Sequence, residues 1–277
     1  MNTPVISSEE YDSFRQFLEK NAGISLGENK HYLVTSRVTR LMHSNGITSY
    51  YDLLRKLERD NRLREQIIDA MTTNETSWFR DSHPYEILKS NVIAELSKQK
   101  RTSLRIWSAA CSTGQEPYSI SICIQEYLKE RPGTLSRPVE IIATDISPSA
   151  LDEAKKGRYE EIAISRGLHR DRLTRYFERK EEAWEIKPEI KQRVSFRPLN
   201  LRQNFTALGK FDIIYCRNVL IYFSTELKKD VLARMAATLN PGGYLILGGS
   251  ESMANYSDAF QMVRINNSVL YQVKNKS

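Results

Sequence analysis

Residues 105–118 read RIWSAACSTGQEPY, an apolar run that passes through small residues into a helix-forming segment. In an open α/β sheet, ligands lie outside the carboxyl ends of the strands, near the point where the first strand is followed by its helix. The small residues at 108–114 allow a ligand to approach the backbone closely. The stretch therefore predicts the first βα unit of a doubly wound α/β domain, with a ligand at this turn.

The chemistry of this turn does not suit a dinucleotide. A dinucleotide site needs the fuller G-x-G-x-x-G pattern because the pyrophosphate sits on the helix N-terminus, whereas this turn carries Gly114 and the acidic Glu116. A carboxylate there would repel a pyrophosphate but could receive a cation. S-adenosylmethionine has an ammonium and a sulfonium and no phosphate, so the turn favours it as cofactor. A tight turn without a ligand is the alternative.

Short apolar runs alternate with helical stretches from Leu104 onward, which predicts parallel βαβ units. We predict strands at 104–110, 139–143, 194–199, 211–216 and 244–247, and helices at 118–130, 147–156 and 225–239. Two β-like runs on either side of Asn266-Asn267 predict a terminal antiparallel hairpin within 260–273. By analogy, a mostly parallel sheet with such a hairpin is typical of methyltransferases and unusual in dehydrogenases.

The first eighty residues read as helices alone. Ser7 and Glu10 form a capping box, Gly23 is a helix stop, and further helices are predicted at about 29–44, from Ser49, and at 61–71. We therefore divide the chain into an all-helical domain, 1–80, and a larger α/β domain, 81–277.

A highly charged span at 157–193 departs from the βα rhythm. The pair Tyr176-Phe177, the run from Trp184 to Ile186 and the run at 194–196 suggest a small antiparallel β-subdomain, inserted at about 170–197. A charged surface excursion is the alternative.

Composition sets wider limits. The formal net charge of +7 suits either a polyanionic partner or an ordinary basic surface. No basic leader precedes an apolar run, and no stretch is long enough to cross a bilayer, so we expect a cytoplasmic protein without membrane insertion. Cys111, Cys123 and Cys216 lack metal-ligand spacing and lie in apolar segments, which favours reduced core residues and no metal.

Polar residues follow several predicted strands. Asp145 lies at the tip of the second strand, where an acid accepts hydrogen bonds from ribose hydroxyls; it could also cap the next helix, although Ser147 suits that role better. Arg217 and Asn218 break into an apolar run after the fourth strand, and buried polar groups there need a ligand or a neighbouring loop as partner. The polar segment 72–80 holds Trp78 and Phe79, which indicates packing between domains, a part of a site, or both.

The motifs NETSWFR (74–80), IWSAACSTGQEPYS (106–119), ATDIS (143–147), PLNL (198–201) and CRNVLIYF (216–223) stand in this order. In order and spacing they resemble the chemotaxis receptor glutamate O-methyltransferases, the CheR family, over nearly the whole chain. The resemblance implies a Rossmann-like class I methyltransferase fold and S-adenosylmethionine as cofactor. It places the cofactor contacts on Asn74, Thr76, Arg80, Glu116, Asp145, Asn200, Leu201, Arg217 and Asn218.

The implied reaction needs no catalytic histidine, because a glutamate side chain is already ionised near neutral pH and attacks the methyl group without a general base. Arg80 would hold the acceptor carboxylate with its planar fork, and Tyr222 would orient it through its hydroxyl group. The carboxylate charge disappears in the ester, so we assign Arg80 to positioning rather than activation. The products are the glutamyl methyl ester and S-adenosylhomocysteine.

Lys30, Arg37 and Arg40 flank the apolar face of the second helix and form either a basic strip or an ordinary solvated face. Receptor methylation sites lie on glutamate-rich cytoplasmic helices, so the resemblance makes this strip a substrate-binding surface. Family members that dock on a receptor's C-terminal peptide tether use a glycine-containing loop of the β-subdomain. Residues 178–183, ERKEEA, lack glycine, so we expect weak or no tether binding. We also expect a monomer.

Two other functions fit part of this pattern. A nucleic-acid methyltransferase would explain the cofactor site and the positive charge, but no Pro-Pro-Tyr element stands beside Asn218, and we expect no nucleic-acid partner. A noncatalytic sensor of S-adenosylmethionine would dispense with Arg80 and Tyr222, and both are present.

Overall fold

A computed structural model describes residues 4–265 and 268–274 of the chain. The chain forms two compact units, one comprising Met1–Thr73 and Tyr222–Lys228, the other Asn74–Ile221 and Lys229–Ser277. The boundary therefore falls between Thr73 and Asn74 rather than near residue 80. The segment 74–80 belongs to the larger unit because its aromatic side chains Trp78 and Phe79 are part of that unit's core.

The smaller unit is helical. Its helices are α1 (Ser8–Ala22), α2 (His31–Ser44), α3 (Tyr50–Leu57) and α4 (Asn61–Met71). The predicted capping box at Ser7 and Glu10 is present, and Ser49 caps α3 through a bond from Asp52 N–H. Apolar side chains at helical spacing, among them Phe14 and Val38, are fully buried in a shared core, so the periodicity in the sequence identified the inward faces.

A later piece of the chain, Tyr222–Lys228, joins this helical unit. The N–H of Ser25 donates a hydrogen bond of 2.8 Å to the carbonyl of Tyr222. Gly23 ends α1 with a φ of +76°, and a Cβ at this position would lie 2.6 Å from Leu227 Cδ2. Glycine is therefore required here both by the left-handed backbone and by the close approach of Leu227.

The larger unit begins with a helical segment and continues as alternating strands and helices. Its leading segment consists of α5 (His83–Ile87), a π-helical turn (Leu88–Val92) and α6 (Ile93–Ser97). The strands are β1 (Leu104–Ala109), β2 (Val139–Asp145), β3 (Arg158–Glu160), β4 (Phe177–Lys180), β5 (Ala183–Ile186), β6 (Val194–Pro198), β7 (Phe211–Cys216), β8 (Leu239–Leu247), β9 (Phe260–Ile265) and β10 (Ser268–Val273). The helices are α7 (Gln115–Glu130), α8 (Pro148–Lys156), α9 (Glu161–Ser165), α10 (Arg170–Tyr176), α11 (Pro188–Lys191) and α12 (Thr225–Thr238), whose first turn groups with the helical unit.

The main sheet in the described residues has seven strands in the order β6-β2-β1-β7-β8-β10-β9. β1 pairs in parallel with both β2 and β7, while β10 pairs antiparallel with β8 and β9. The predicted doubly wound parallel sheet with a terminal antiparallel hairpin is confirmed. The turn predicted at Asn266-Asn267 lies outside the described residues.

A small antiparallel sheet, in the order β3-β5-β4, forms the predicted inserted subdomain. The prediction was wrong about its third strand, since Val194–Pro198 pairs in parallel with β2 at the edge of the main sheet. The third strand is Arg158–Glu160, where only Tyr159 is buried. A three-residue strand with two exposed charged residues leaves no alternation in the sequence long enough to identify it.

Buried apolar side chains fill the larger unit, and Trp107, Tyr118 and Tyr215 are among the largest that are fully buried. Cys111, Cys123 and Cys216 are buried and free, as predicted. Within 4–265 and 268–274, no helix is both long and apolar enough to cross a membrane.

Candidate cofactor and catalytic site

The turn from β1 to α7 has an unusual backbone. Gly114 precedes α7 with a φ of +95°, and the non-glycine residues Ala110 and Ser112 have φ values of +63° and +50°. A Cβ on Gly114 would lie 3.0 Å from both Ala154 Cβ and the Tyr159 hydroxyl oxygen. Residues held in the left-handed region cost free energy and cluster at ligand sites. This turn therefore carries the features of a binding loop.

Asp145 is the last residue of β2 and is 5 % exposed. Its Oδ2 accepts a hydrogen bond of 2.7 Å from Ser112 N–H, and its Oδ1 accepts one of 2.9 Å from Ser147 N–H. Ser147 Oγ caps α8 by accepting from Ala150 N–H at 3.1 Å. The helix is thus capped by Ser147, as the sequence favoured, and Asp145 is held at the carboxyl edge of the sheet next to the β1–α7 turn.

Glu116, in the first turn of α7, is buried and forms an ion pair with Arg217, the residue after β7. Arg217 Nη1 lies 3.2 Å from Glu116 Oε2, and Ser108 Oγ donates a bond of 2.8 Å to Glu116 Oε1. Burial raises the pKa of Glu116, while Arg217 and Ser108 act in the opposite direction without cancelling the shift. This carboxyl group therefore titrates above the usual glutamate range.

The other nitrogen atoms of Arg217 mostly contact the segment after residue 79. Nη2 donates bonds of 2.8 Å to the carbonyl of Arg80 and 2.6 Å to Asp81 Oδ2. Burial lowers the pKa of Arg217, but Tyr85, Glu116 and Asp81 outweigh it and raise the pKa. Its Nε is buried and has no hydrogen-bond partner within the described residues. The expected partners of Arg217 are thus largely supplied by neighbouring loops.

Segment 74–80 lies against the β1–α7 turn. Asn74 Nδ2 donates to Ser147 Oγ at 3.2 Å, and the Asn74 carbonyl accepts from Ser112 Oγ at 2.9 Å. The Arg80 side chain is half-buried, and its Nη1 donates to the carbonyl of Glu75 at 3.2 Å. A cleft of about 320 Å³ opens beside this segment. It is lined by Asn74, Thr76, Thr113, Gln115, Ser149, Ala150, Glu153, Ala163 and Arg166.

The loops after β6 and β7 complete this edge of the sheet. Leu199 N–H donates to the carbonyl of Asp145 at 2.9 Å, which places Asn200 and the buried Leu201 next to the end of β2. Asn218 follows Arg217 with a φ of +58°. The structure therefore brings the sequence-predicted cofactor residues together at the carboxyl edge of the sheet in the larger unit.

The remaining predicted residues lie in the helical unit. Arg37 Nη1 donates bonds of 2.9 Å to the carbonyls of both Met71 and Thr72, so its guanidinium group holds the end of α4. Lys30 Nζ lies 5.7 Å from the centre of the exposed Tyr32 ring. Arg40 is exposed and forms no ion pair in the part of the chain that the structure describes. Tyr222 is half-buried and lies in the segment 222–228.

Sequence reasoning missed three residues that organise the site. Ser108 and Asp81 contact the buried ion pair, and Glu251 bonds to the backbone after β7. Ser108 lies in the binding stretch 105–118, where its small size is the property that the sequence pattern indicates. The other two lie in loops where nothing in the local pattern distinguishes them from exposed acids.

Two family models match this chain. Residues 74–269 match the family model described as CheR methyltransferase, SAM binding domain, and residues 9–72 match the CheR methyltransferase all-alpha domain. The chain belongs to the CheR methyltransferase family. The matched ranges meet between residues 72 and 74, where the two compact units also divide.

Named relatives of this CheR-family chain match it over nearly its full length. It is 51% identical to the chemotaxis protein methyltransferase Cher2 of Pseudomonas putida. The alignment spans 96% of this chain and 98% of that protein. It is 48% identical to chemotaxis protein methyltransferase 1 of Vibrio cholerae, over 99% of this chain and 100% of that protein. A solved magnesium protoporphyrin IX methyltransferase of Synechocystis is 16% identical, with a TM-score of 0.39, over 88% of this chain and 97% of that one. The chain is an S-adenosylmethionine-dependent methyltransferase, as predicted.

The site's chemistry fits this cofactor. Three acidic side chains lie at this edge of the sheet. Asp145 bonds to the β1–α7 turn, while Glu116 and Asp81 bond to Arg217. Negative charge is therefore concentrated where a cationic ligand would bind. The buried Nε of Arg217, which has no partner among the residues that the structure describes, is a further hydrogen-bond donor at this edge of the sheet. Methylation of receptor glutamates is the known role of the family.

Proposed function

We propose that this enzyme forms glutamate γ-methyl esters on the helical cytoplasmic region of chemoreceptors or receptor-like signalling proteins. The observation that carries the proposal is the polar cluster at the carboxyl edge of the sheet, in a chain that matches both CheR family domains. Its chemoreceptor substrates follow from the named chemotaxis methyltransferases that it resembles along its whole length.

The cofactor would be held by the residues that the family motifs share with this chain. Asp145 would accept hydrogen bonds from the ribose hydroxyls, since it ends β2 at the carboxyl edge of the sheet. Glu116 would attract the cationic amino group in its ionised form, which the ion pair with Arg217 favours against the effect of burial. Asn74, Thr76, Asn200, Leu201 and Asn218 would contact the rest of the molecule. When bound, S-adenosylmethionine supplies an electrophilic methyl group on a sulfonium.

Arg80 and Tyr222 would position the acceptor glutamate. The hydrogen bond from Arg217 to the Arg80 carbonyl fixes the backbone at that point, while the guanidinium makes one long bond of 3.2 Å to Glu75. A weak internal bond leaves the planar fork available for a carboxylate. Tyr222 would orient the same carboxylate by a hydroxyl hydrogen bond. Both residues act by aligning the attacking oxygen, because the acceptor needs no deprotonation at neutral pH.

Lys30, Arg37 and Arg40 would attract the acidic receptor helix. Arg40 and Lys30 are exposed, so their charges are available to a partner. Arg37 has a second task, because its guanidinium bonds to the last carbonyls of α4. We therefore assign most of the steering to Lys30 and Arg40.

Binding of a receptor's C-terminal peptide tether would be weak or absent. The turn between β4 and β5 is Glu181-Glu182, and Glu181 has a φ of +55° where a glycine would be relaxed. Arg158 and Glu181 form an ion pair of 2.7 Å beside it. Calorimetry with receptor tail peptides should show no binding at micromolar peptide, and a micromolar or tighter dissociation constant would refute this assignment.

The decisive experiment measures transfer of a radiolabelled methyl group from S-adenosylmethionine to a receptor cytoplasmic fragment, followed by brief alkali. We expect label that alkali releases as methanol and that Arg80→Ala nearly abolishes. Alkali-stable label would move the acceptor to nitrogen or a hydroxyl. Absence of label, with normal binding of S-adenosylhomocysteine, would contradict this activity on that receptor and favour a noncatalytic sensor.

A further inference from the structure

Two neighbouring loops leave the carboxyl edge of the main sheet at β7 and β8. The strands are parallel, and Cys216 lies opposite Leu247 at their ends. The loop after β7 contains Asn218, and the loop after β8 reads GGSE, with Glu251 N–H donating to the Gly248 carbonyl at 2.9 Å. The second loop has no role in the function described above.

The side chain of Glu251 joins these loops through their backbones. Its Oε2 accepts from Asn218 N–H at 2.7 Å and from Gly248 N–H at 2.9 Å, and its Oε1 accepts from Ile221 N–H at 3.3 Å. Among the described residues, Glu251 has no ion-pair partner. Its negative charge is therefore stabilised by backbone amides, an arrangement that gives strong, directional hydrogen bonds.

The packing around Glu251 is close. A Cβ at Gly248 would lie 2.8 Å from Asn218 Nδ2 and 2.8 Å from Glu251 Oε2, so a larger residue at this position would displace one or both of these side chains. Asn218 itself has a φ of +58°, a left-handed conformation that asparagine adopts more readily than most L-residues. In this conformation, Asn218 N–H donates its 2.7 Å bond to Glu251 Oε2.

We propose that Glu251 is a positioning residue for cofactor binding, which acts by fixing Asn218 in its left-handed conformation. The inference rests on the proposed role of Asn218 as a cofactor contact. Without the carboxylate, the amides of Asn218, Gly248 and Ile221 lose a common acceptor, and the loop after β7 can relax. The Asn218 side chain would then lose its orientation toward the ligand, although the residue is unchanged.

The test measures binding of S-adenosylhomocysteine by calorimetry for Glu251→Ala, Asn218→Ala and the double variant. We expect Glu251→Ala to weaken binding about 10-fold or more, and the double variant to bind about as weakly as the weaker single variant. Glu251→Gln, which keeps the volume and one acceptor oxygen, should recover most of the affinity and remains usable where Glu251→Ala does not fold.

Asp212→Asn is the matched control. Asp212 is buried and, like Glu251, accepts from a backbone amide, that of Arg105 at 2.9 Å, but it pairs with Arg101 and lies at the opposite end of β7. The Asp212→Asn variant should have a lower melting temperature than wild type and an unchanged affinity for S-adenosylhomocysteine. If Glu251→Ala behaved in the same way, or if the two single effects multiplied in the double variant, the positioning role would be wrong. Because no acceptor is present, failure of receptor methylation would not affect this result.

Discussion

Arg217 and Glu116 form a buried ion pair of 3.2 Å that joins the loop after β7 to the first turn of α7. The Arg217 side chain is 2% exposed and that of Glu116 is 10% exposed, so both charges have lost most of their hydration. Replacing such a pair by apolar residues is often neutral or stabilising, because desolvation offsets the attraction. We therefore expect the ion pair to orient the side chains of the site rather than to add to the free energy of unfolding.

Arg217→Lys should weaken cofactor binding substantially. Lysine cannot reach Glu116, Asp81 and the Arg80 carbonyl together, since it lacks the planar fork. We expect affinity for S-adenosylhomocysteine to fall about 10-fold or more, or ~1.4 kcal/mol. Arg105→Lys is the control, because Arg105 bonds to the Lys210 and Leu208 carbonyls at the other end of the sheet. Equal losses of affinity in both variants would contradict this prediction.

The affinity for S-adenosylhomocysteine should fall on acidification in a range above the usual glutamate pKa. Burial raises the pKa of Glu116 despite Arg217, and only the ionised form attracts a cationic amino group. Binding is therefore strong above this raised pKa and is lost as the pH falls through it. Glu116→Gln should bind more weakly than wild type above the raised pKa and should lack this loss of affinity on acidification. A wild-type affinity that stays constant down to the ordinary glutamate range would show that Glu116 does not bind the amino group.

Much of this site could be predicted because its residues lie in motifs at strand ends. The local sequence locates both elements. The apolar run of β2 places Asp145 at the end of that strand. Gly114 marks the turn before α7. Glu251 and Asp81 could not be found in this way. Their roles depend on the parallel pairing of β7 with β8 and on the direction of the buried Arg217 side chain. Both are long-range features without a local pattern.

Arg80→Ala and Tyr222→Phe should differ in which parameter they change. Arg80 is proposed to contact both cofactor and acceptor, so its loss should lower kcat about 100-fold and also weaken binding of S-adenosylhomocysteine. Tyr222→Phe removes one neutral hydrogen bond to the acceptor, and should lower kcat/KM for the receptor about 3–10-fold with unchanged affinity for the cofactor product. Tyr51→Phe, at an exposed tyrosine, should have wild-type kinetics. Wild-type kcat/KM in Tyr222→Phe would remove Tyr222 from the site.

Glu126→Gln should destabilise the protein in a pH-dependent way. Burial raises the pKa of Glu126, but the hydrogen bonds from Arg172, of 2.8 and 3.0 Å, and the charges of Arg172 and Lys89 outweigh it and lower the pKa. A lowered folded-state pKa adds stability above the unfolded-state pKa, and this is lost as the pH falls through the folded-state value.

At pH 7 the loss in free energy of unfolding should be about 1–2 kcal/mol, because the cationic partners are partly exposed and screened by water. Urea unfolding at pH 7 and pH 3 measures the free energy of unfolding of both proteins. The difference in this free energy between Glu126→Gln and wild type should be smaller at pH 3. Glu130→Gln, at a side chain that is 55% exposed, should change little at either pH. A loss for Glu126→Gln of the same size at both pH values would rule out the ionised pair as its cause.

Charge reversal at Arg40 should impair recognition of the receptor rather than chemistry. Arg40 lies on α2, is exposed and forms no ion pair within the described residues, so Arg40→Glu leaves the fold intact while it repels an acidic helix. We expect KM for the receptor fragment to rise about 5–10-fold at low ionic strength and less at high salt, because exposed charges are screened. kcat should stay at the wild-type value.

Arg62→Glu is the matched control for this prediction, since Arg62 is also exposed but lies on α4. The two variants change the net charge equally, so any general effect of charge on the receptor encounter raises KM in both. If Arg40 and Lys30 form a specific binding strip at α2, Arg40→Glu and Lys30→Glu should both raise KM with the stated salt dependence. Arg62→Glu should not raise it. Equal increases for Arg40→Glu and Arg62→Glu would mean that the receptor senses the overall positive charge of the enzyme and not this face of α2.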